Sequence, residues 1–343
     1  MNKKFNIGII GAGSISDLHC SAIKETRKGE LYDVFDINGV ASKKLKDQFP
    51  ELRIYNSLEG IVNDKNIDTF AILAPPKNHY RIIEKIVRDT DKPIFCEKPL
   101  VIDKEEYSNI LDIPNGDNRI FVGQSYRYFP QIIEAKKYFE ETRDTLKYFE
   151  IKFRKHIHKI RPLGGWRSEY EDYVIADNGM HIFDLLTYLT GQKIVKSYCQ
   201  AENNSGVING FDTAFVNVEL EGGAKGTIAL EHDNMISNTP YMGDHYYRFD
   251  KRTLSLDKGK LVEYIDNQKE VIKENLLINP SIVEDWQGSF TKMWGSFFDN
   301  IKNSDKMEIC PGNLKNSLYG VLMTIESAKN KKIVMEHEYG KKE

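Results

Sequence analysis

The feature that most constrains the fold is the alternation of short apolar runs with amphipathic stretches through the first third of the chain. Five runs have the length and composition of β-strands: FNIGII (5–10), LYDVFD (31–36), TFAILA (69–74), PIFCE (93–97) and RIFVG (119–123). Strands that alternate with helices are typical of a doubly wound parallel sheet. We therefore predict an α/β Rossmann domain over residues 1–123.

The pattern changes after Gly123. A helix is predicted near 130–143, and helical patterns return at about 285–302 and 313–330. The runs between them alternate polar and apolar residues with a period of two: KYFEIKFRKHI (147–157), DTAFVNVEL (212–220), AKGTIALEH (224–232) and HYYRFD (245–250). Such alternation indicates strands with one covered face. We expect a second, α+β domain over 124–343 with a large, mostly antiparallel open sheet, and the 40% hydrophobic residues suffice for two cores.

The composition excludes two classes of partner. With 48 basic and 51 acidic residues the net charge is −3, so no overall field draws the chain to nucleic acid or anionic membranes. No stretch reaches the ~20 apolar residues that span a bilayer, and MNKKFNIGIIGAG lacks the features of a signal peptide. The four cysteines form no CxxC pair, which indicates reduced thiols. We expect a soluble, cytoplasmic protein that acts on a small molecule.

A glycine-rich turn follows the first predicted strand. Gly11 and Gly13, with Ser14 and Ile15 after them, stand between that strand and an amphipathic stretch. Backbone N–H groups and a helix N-terminus can therefore meet a pyrophosphate. Ser16 replaces the third glycine of the dinucleotide fingerprint, and a lone GxG is weak evidence because many such turns are ordinary tight turns. Its place after the first strand favours a cofactor site.

The residue that would bind the adenosine ribose depends on the register of the second strand. If the strand is INGVAS (37–42), Ser42 and the two lysines after it would accept the 2′-phosphate of NADP. If it is LYDVFD, Asp36 would repel that phosphate and bind the ribose hydroxyls of NAD. The second register leaves a full helix at about 39–49 with Asn38 as its N-cap. We choose Asp36 and NAD, with NADP as the alternative cofactor and a solvated strand end as the alternative role of Asp36.

Glu97 and Lys98 follow a strand predicted at the centre of the sheet. They would emerge at the carboxyl edge, where such sheets bind ligands, and Pro99 restricts the backbone after them. Beside a nicotinamide ring, the Lys98 ammonium can hydrogen-bond a substrate oxygen and stabilise the charge that develops on it. The alternative is an ordinary surface cation.

The stretch VIADNGMHIFDLL (174–186) places Asp177 four residues before His181. One interpretation is structural: Asp177 is the N-cap of a helix that runs from Asn178 to Thr190 and ends at Gly191. A metal site would need more ligands, for which Asp184 is a candidate, but the expected spacings are missing and we predict no metal. The third interpretation is proton transfer, with His181 as the base and Asp177 orienting its ring.

Six cations precede this stretch in KFRKHIHKIRPLGGWR (152–167). One interpretation is a solvated edge strand, where lysines discourage pairing with another chain. The functional alternative is that Arg161 or Arg167 binds a carboxylate or phosphate of the substrate, with Trp166 packed on a sugar ring.

Four motifs, together with the GxG turn, resemble those of the glucose-fructose oxidoreductase and inositol dehydrogenase family, Gfo/Idh/MocA: APPKNHY (74–80), CEKP (96–99), VGQSYRYFP (122–130) and DNGMHIFD (177–184). The resemblance spans nearly the whole chain. It implies that the catalytic residues are Lys98, Asp177 and His181. It also implies roles for five further residues: Ala74, Pro75 and His79 in the cofactor cleft, Glu97 beside the nicotinamide and Arg127 near the substrate.

The resemblance implies an NAD-dependent dehydrogenase that oxidises a ring hydroxyl of a sugar, inositol, amino sugar or nucleotide sugar. The second domain would bind the substrate and form a homodimer or homotetramer. Gln124 departs from many relatives, and substrate-contacting positions vary, so the family does not identify the sugar. Two alternatives remain on this fold: a glycoside-cleaving enzyme that retains its NAD, and a sugar sensor. The presence of Lys98, Asp177 and His181 argues against a sensor, which needs no proton relay.

Overall fold

The computed structural model describes residues 4–155, 166–232, 243–257, 260–266, 271–278, 286–303 and 306–339. Its strands, β1 to β15 in chain order, are Phe5–Ile10, Gly29–Phe35, Arg53–Ile54, Thr69–Ile72, Ile94–Glu97, Ile120–Gly123, Leu146–Arg154, Ile194–Glu202, Thr213–Leu220, Lys225–Glu231, Asp244–Phe249, Arg252–Asp257, Lys260–Asp266, Val271–Ile278 and Val334–Met335. Its α-helices, α1 to α11, are Ser16–Thr26, Gly39–Gln48, Leu58–Val62, His79–Asp89, Lys104–Leu111, Gly116–Arg119, Pro130–Glu141, Trp166–Glu169, Met180–Thr190, Trp286–Asn303 and Lys315–Asn330.

The chain forms two compact units. The first contains Met1–Tyr128 and Trp286–Leu314, and the second contains Phe129–Asp285 and Lys315–Glu343. The predicted division into 1–123 and 124–343 therefore differs from the observed units, chiefly because a late segment returns to the first one. The reason is the aromatic face of α10, where the ring of Trp294 stacks on Phe95 of β5 with centroids 4.1 Å apart.

The first unit is the predicted Rossmann fold. Its six strands are ordered β3-β2-β1-β4-β5-β6, and every pair is parallel. All residues of β4, β5 and β6 are buried, as expected for a parallel sheet with helices on both faces. All five strands predicted here are confirmed, with ends that differ by one or two residues.

The register of the second strand is also settled. Strand β2 ends at Phe35, and α2 begins at Gly39, where the Asn38 side chain caps it by accepting a hydrogen bond from Val40 N. The LYDVFD register is therefore confirmed. The alternative is excluded because Ser42 lies inside α2 and is fully buried.

The second unit contains a nine-stranded sheet with the order β14-β13-β12-β11-β7-β10-β9-β8-β15. Its pairs are antiparallel except β7 with β10, which confirms the mostly antiparallel sheet. Buried and exposed residues alternate along β9 and β10, so one face is covered. On that face α11 approaches β8 closely, and Thr324 shares a 2.8 Å hydrogen bond with Ser197.

Strand β7, which begins the cation-rich segment, lies between β11 and β10 in the interior of the sheet. For residues 152–154, which belong to β7, the solvated edge strand was therefore the wrong interpretation, and residues 156–165 of the segment lie outside the described residues. The sequence could not show this, because strand order depends on pairings between distant segments. Within the described ranges, none of the helices is long and apolar enough to cross a membrane.

Candidate active site

The glycine-rich turn after β1 has the shape that a pyrophosphate requires. Gly11 has φ +105°, and a Cβ there would lie 2.5 Å from Ala74 N, so glycine is required for both its conformation and its close approach to the chain after β4. A Cβ on Gly13 would meet no atom within 4 Å, so this side of the turn is open. Gly13 and Ser14 are exposed and Ile15 is half-buried, just before α1 begins. The turn fits a dinucleotide phosphate at a helix N-terminus.

Ser16, which stands where the fingerprint has its third glycine, supports this turn. Its side chain is buried, and its hydroxyl donates a 3.1 Å hydrogen bond to Gly11 O. The departure from the fingerprint therefore keeps the turn in place.

Asp36 connects the end of β2 to the glycine-rich turn. One carboxylate oxygen accepts a 2.7 Å hydrogen bond from Ala12 N, and the other accepts one from Asn38 N, also at 2.7 Å. Each oxygen has a further lone pair, so the half-buried carboxylate can still accept from ribose hydroxyls. The arrangement fits NAD and places a fixed negative charge against the 2′-phosphate of NADP.

His79, predicted in the cofactor cleft, is fully buried between two loops. Its Nδ1 lies 2.9 Å from Pro99 O and its Nε2 lies 2.8 Å from Ala74 O. Burial lowers the pKa of His79 below its ordinary value, so the neutral ring donates its single N–H to one carbonyl at a time. His79 thus holds together the loops after β4 and β5, and the half-buried Ala74 and Pro75 belong to the first of these.

Glu97 ends β5, and Lys98 follows it at the carboxyl edge of the sheet, as predicted. Lys98 is half-buried, whereas Glu97 is 8% exposed. Glu97 pairs in register with Gly123 of β6, and a Cβ on Gly123 would lie only 2.7 Å from Glu97 Oε1. Gly123 therefore makes room for this carboxylate.

Two residues that contact this edge were not predicted from the sequence. His19 of α1 lies 3.1 Å from Glu97 Oε1 through its Nε2, and Trp294 of α10 donates a 3.0 Å hydrogen bond to His19 Nδ1. The sequence offered two signals, the aromatic residues of the late helical pattern and a histidine in the first helical pattern. Neither signal shows which strand its helix packs against.

The segment after β6 is also buried. Arg127 is 7% exposed and lies in a short 3₁₀ turn, Ser125–Tyr128, of the first unit. Gln124 is 1% exposed, and neither polar atom of its side chain has a hydrogen-bond partner in the described part of the chain. Tyr128 donates a 2.8 Å hydrogen bond to Glu308 Oε2, which fixes the end of this turn.

Asp177 and His181 lie in the second unit, at the start of a helix that is not capped as predicted. Val174–Gly179 is π-helical and runs directly into α9, so Asp177 lies inside the helical segment and is not its N-cap. The predicted end is confirmed, because Gly191 is the left-handed C-cap. Asp177 is half-buried and His181 is 4% exposed.

Strand β10 explains the local geometry of this segment. A Cβ on Gly179 would lie 3.1 Å from Leu230 Cδ1, and Asn178 Nδ2 donates a 2.7 Å hydrogen bond to His232 Nε2. These contacts hold the widened turn against the sheet. π-Helical turns are frequent at functional sites, and none of the local sequence signals predicted this one.

Asp184, the residue considered as a further ligand for a metal site, has a hydroxyl as its neighbour. Asp184 is buried, and Ser317 Oγ donates to it at 3.5 Å. Among the described residues, no three His, Cys, Asp or Glu side chains come together as metal ligands.

The cation-rich segment is described only in part. Lys152 pairs with Glu150 at 2.7 Å, and Arg154 pairs with Glu231 at 2.8 Å. Arg167 is half-buried in α8, whose first residue is Trp166. The structure describes the backbone of Trp166 but not its side chain, and Arg161 lies outside the described residues.

The predicted residues are thus placed in two groups. The cofactor residues, Lys98 and Arg127 belong to the first unit, and Asp177, His181 and Arg167 belong to the second. That these groups form one catalytic constellation stays a prediction.

Comparison with known proteins identifies the family. Residues 5–124 match the "Oxidoreductase family, NAD-binding Rossmann fold", and residues 145–240 match the "GFO/IDH/MocA C-terminal domain". Inositol 2-dehydrogenase 2 of Saccharopolyspora erythraea is 24% identical over 224 residues, which cover 64% of each chain. Glucose-6-phosphate 3-dehydrogenase of Bacillus subtilis is 27% identical over 208 residues, 59% of this chain and 58% of that protein. The chain thus spans less than two thirds of either relative.

A solved structure extends the likeness in fold to nearly the whole chain. The WlbA dehydrogenase from Bordetella pertussis, in complex with NADH and UDP-GlcNAcA, covers 98% of each chain with a TM-score of 0.85 and 17% identity. The predicted family, fold and oxidoreductase class are confirmed. The chain belongs to the Gfo/Idh/MocA family of oxidoreductases, and its first unit contains that family's NAD-binding Rossmann domain.

Proposed function

We propose that the chain is an NAD-dependent dehydrogenase that oxidises a ring hydroxyl of a sugar, inositol, amino sugar or nucleotide sugar. One observation carries the proposal: the carboxyl edge of the first sheet brings together the features that this chemistry needs. The open turn at Gly13 follows β1, Asp36 follows β2 and Lys98 follows β5, and the three strands run parallel in one sheet. Ligands of doubly wound sheets bind at this edge.

The chain's own residues supply the proton chemistry. NAD⁺, when bound, supplies the acceptor for the hydride that leaves the carbinol carbon. His181 accepts the hydroxyl proton as the carbinol becomes a carbonyl, and Asp177 orients the imidazole and favours its charged form. Lys98 donates a hydrogen bond to the substrate oxygen and stabilises the negative charge that develops there.

The names of several relatives support the proposed substrate class. Two of them are named for inositol and for glucose 6-phosphate, and WlbA is in complex with UDP-GlcNAcA. An anionic substrate remains part of the proposal, although fewer cations of the segment 152–167 are available to bind it than the sequence implied. Lys152 and Arg154 already pair with carboxylates, so the anion would be bound by Arg161 or Arg167, as the sequence suggested.

We also propose an oligomeric state and a cellular location for this protein. We propose a homodimer or homotetramer, as the resemblance implies. A cytoplasmic location is supported by the cysteines Cys20, Cys96, Cys199 and Cys310, which are all free and buried.

The test is a substrate screen that follows NADH absorbance. Polyols, neutral sugars, sugar phosphates and nucleotide sugars are each incubated with the chain and NAD⁺, and the reverse reaction is run with NADH and with NADPH. We expect NADH formation with at least one ring alcohol, and an advantage of anionic over neutral sugars that shrinks with added salt and in Arg167→Ala.

Product analysis without added NAD⁺ separates the alternatives. Sugar release under that condition, with no net NADH, would replace the proposal with glycoside cleavage. Binding of sugars with no turnover of any kind would instead favour a sensor.

A further inference from the structure

Three buried side chains form a polar chain in the first unit at the carboxyl end of β5. Trp294 Nε1 donates to His19 Nδ1 at 3.0 Å, and His19 Nε2 lies 3.1 Å from Glu97 Oε1. His19 and Trp294 have no exposed surface, and Glu97 is 8% exposed. The family resemblance implies that Glu97 lies beside the nicotinamide, and the function proposed above assigns no role to Glu97, His19 or Trp294.

The indole fixes the proton on the imidazole. An indole N–H can only donate, so His19 Nδ1 accepts, and the ring carries its hydrogen on Nε2. That nitrogen and Glu97 Oε1 are both buried and lie 3.1 Å apart, outside hydrogen-bond geometry, and neither has a hydrogen-bond partner in the described part of the chain. The ring of His19 lies against Phe95, Phe290 and Trp294, with centroids 4.9 to 6.0 Å away. A neutral His19 thus places a polar N–H group beside Glu97 without cancelling its charge.

Gly123 limits where the carboxylate can be. A Cβ at that position would lie 2.7 Å from Glu97 Oε1, and Gly123 is the partner of Glu97 across β5 and β6. Because His19 contacts the same oxygen, the carboxylate is held between a side chain of α1 and the backbone of β6. A buried carboxylate favours cations near it, and its charge is most effective where water is excluded.

We propose that His19 is a positioning residue that keeps the Glu97 side chain at the carboxyl edge, where its charge favours the cationic, oxidised nicotinamide over the neutral, reduced one. The inference rests on the proposed NAD-dependent function. It predicts a change in the ratio of the dissociation constants of NADH and NAD⁺. This ratio favours NAD⁺ more strongly in the wild type than in variants whose carboxylate is neutralised or moved. The three residues would thereby raise the share of the chain that is loaded with NAD⁺ and favour the release of NADH.

The experiment measures the dissociation constants of NAD⁺ and NADH without substrate, using NADH fluorescence and its competition by NAD⁺. Glu97→Gln removes the charge at nearly constant size, His19→Leu removes the donor, and Gly123→Ala displaces the carboxylate without changing either residue. We expect each to shift the ratio of the two constants toward NADH by about tenfold, which is 1.36 kcal/mol. Lys302→Met, an exposed lysine of α10, is the control and should leave the ratio unchanged.

Two further variants separate positioning from general damage to the fold. In His19→Gln the side-chain amide can again place a polar N–H group beside Glu97, so this variant should lie much closer to wild type than His19→Leu does. The double variant His19→Leu/Glu97→Gln should shift the ratio no further than Glu97→Gln alone, because His19 acts through the carboxylate.

The outcomes are distinct. A ratio within twofold of wild type in Glu97→Gln overturns the charge effect. A tenfold shift in Glu97→Gln with none in His19→Leu or Gly123→Ala overturns the positioning role, and if His19→Leu does not fold, Gly123→Ala and His19→Gln decide it. Failure of the wild type to bind either nucleotide would instead contradict the proposed function.

Discussion

Replacing Asp36 with serine tests the cofactor preference. The Asp36 carboxylate directly follows β2 and accepts hydrogen bonds from Ala12 N and Asn38 N, both at 2.7 Å. Its charge is therefore held at the strand end that contacts the adenosine ribose in Rossmann folds. NADP would have to place its 2′-phosphate against this fixed charge, so we predict a higher kcat/KM with NAD.

The size of the effect follows from the charge. Two like unit charges ~4 Å apart near a protein surface repel by roughly 4 kcal/mol. If salt and solvent halve this repulsion, about 2 kcal/mol remains, which is roughly a thirtyfold preference for NAD. Asp36→Ser should therefore raise kcat/KM with NADP by about thirtyfold. It should lower kcat/KM with NAD by about tenfold, since one hydrogen bond to a charged group contributes about 1.5 kcal/mol.

The assay measures initial rates at subsaturating NAD or NADP, together with the shift in melting temperature that each nucleotide causes. Asp36→Asn is the matched control, because it removes the charge but keeps one acceptor oxygen for Ala12 N or Asn38 N. It should admit NADP as Asp36→Ser does and lose less with NAD. The reasoning is refuted if the wild type prefers NADP, or if neither variant improves the rate with NADP.

The sequence was most informative where the signal is local. The period of the apolar runs located the Rossmann strands, since a parallel sheet covered on both faces needs continuous apolar segments. Asn38 identified the start of α2 because an asparagine side chain can satisfy a free N–H of the first turn, as it does with Val40 N. That cap in turn fixed the register of β2 and the position of Asp36.

Contacts between distant segments were beyond the sequence. Trp294 and His19 are 275 residues apart, and nothing in either helix pattern shows that one will donate to the other. The same limit hid the return of α10 to the first unit. The cations of β7 were misinterpreted for this reason too, because Glu231, which pairs with Arg154, lies on a strand whose register the sequence does not reveal.

The start of α9 shows a different limit. Asp177 has the residue type of an N-cap, and the apolar spacing after it is helical, so local rules predicted a cap. The structure instead continues the helix upstream as a π-helical segment held by β10 through Asn178 and Gly179. Tertiary packing outweighed the local preference at one of the predicted functional residues, which is where such exceptions are expected.

Three further predictions concern catalysis and stability. Lys98→Met should keep NAD⁺ binding and lower kcat by two or more powers of ten in a steady-state assay, about the loss of one preorganised donor; undiminished turnover would remove Lys98 from the mechanism. The pH profile of oxidation should show a limb near neutrality that is absent in His181→Asn, because its titrating group is gone; a surviving limb would assign the proton transfer to another residue. Burial alone would raise the pKa of Asp212. The hydrogen bonds that its carboxylate accepts from Ser205, from Asn204 N and from Thr213 outweigh burial and lower this pKa below its ordinary value of 3.8. A lowered pKa in the folded state means that the carboxylate stabilises the fold above its unfolded pKa, and that this stabilisation is lost as the pH falls toward the folded value. In urea unfolding, Asp212→Asn should therefore lower the free energy of unfolding by about 2 kcal/mol near neutral pH, and the difference from wild type should shrink below about pH 4. An equal difference at both pH values would show that the Asp212 charge contributes nothing and that the cost lies in packing.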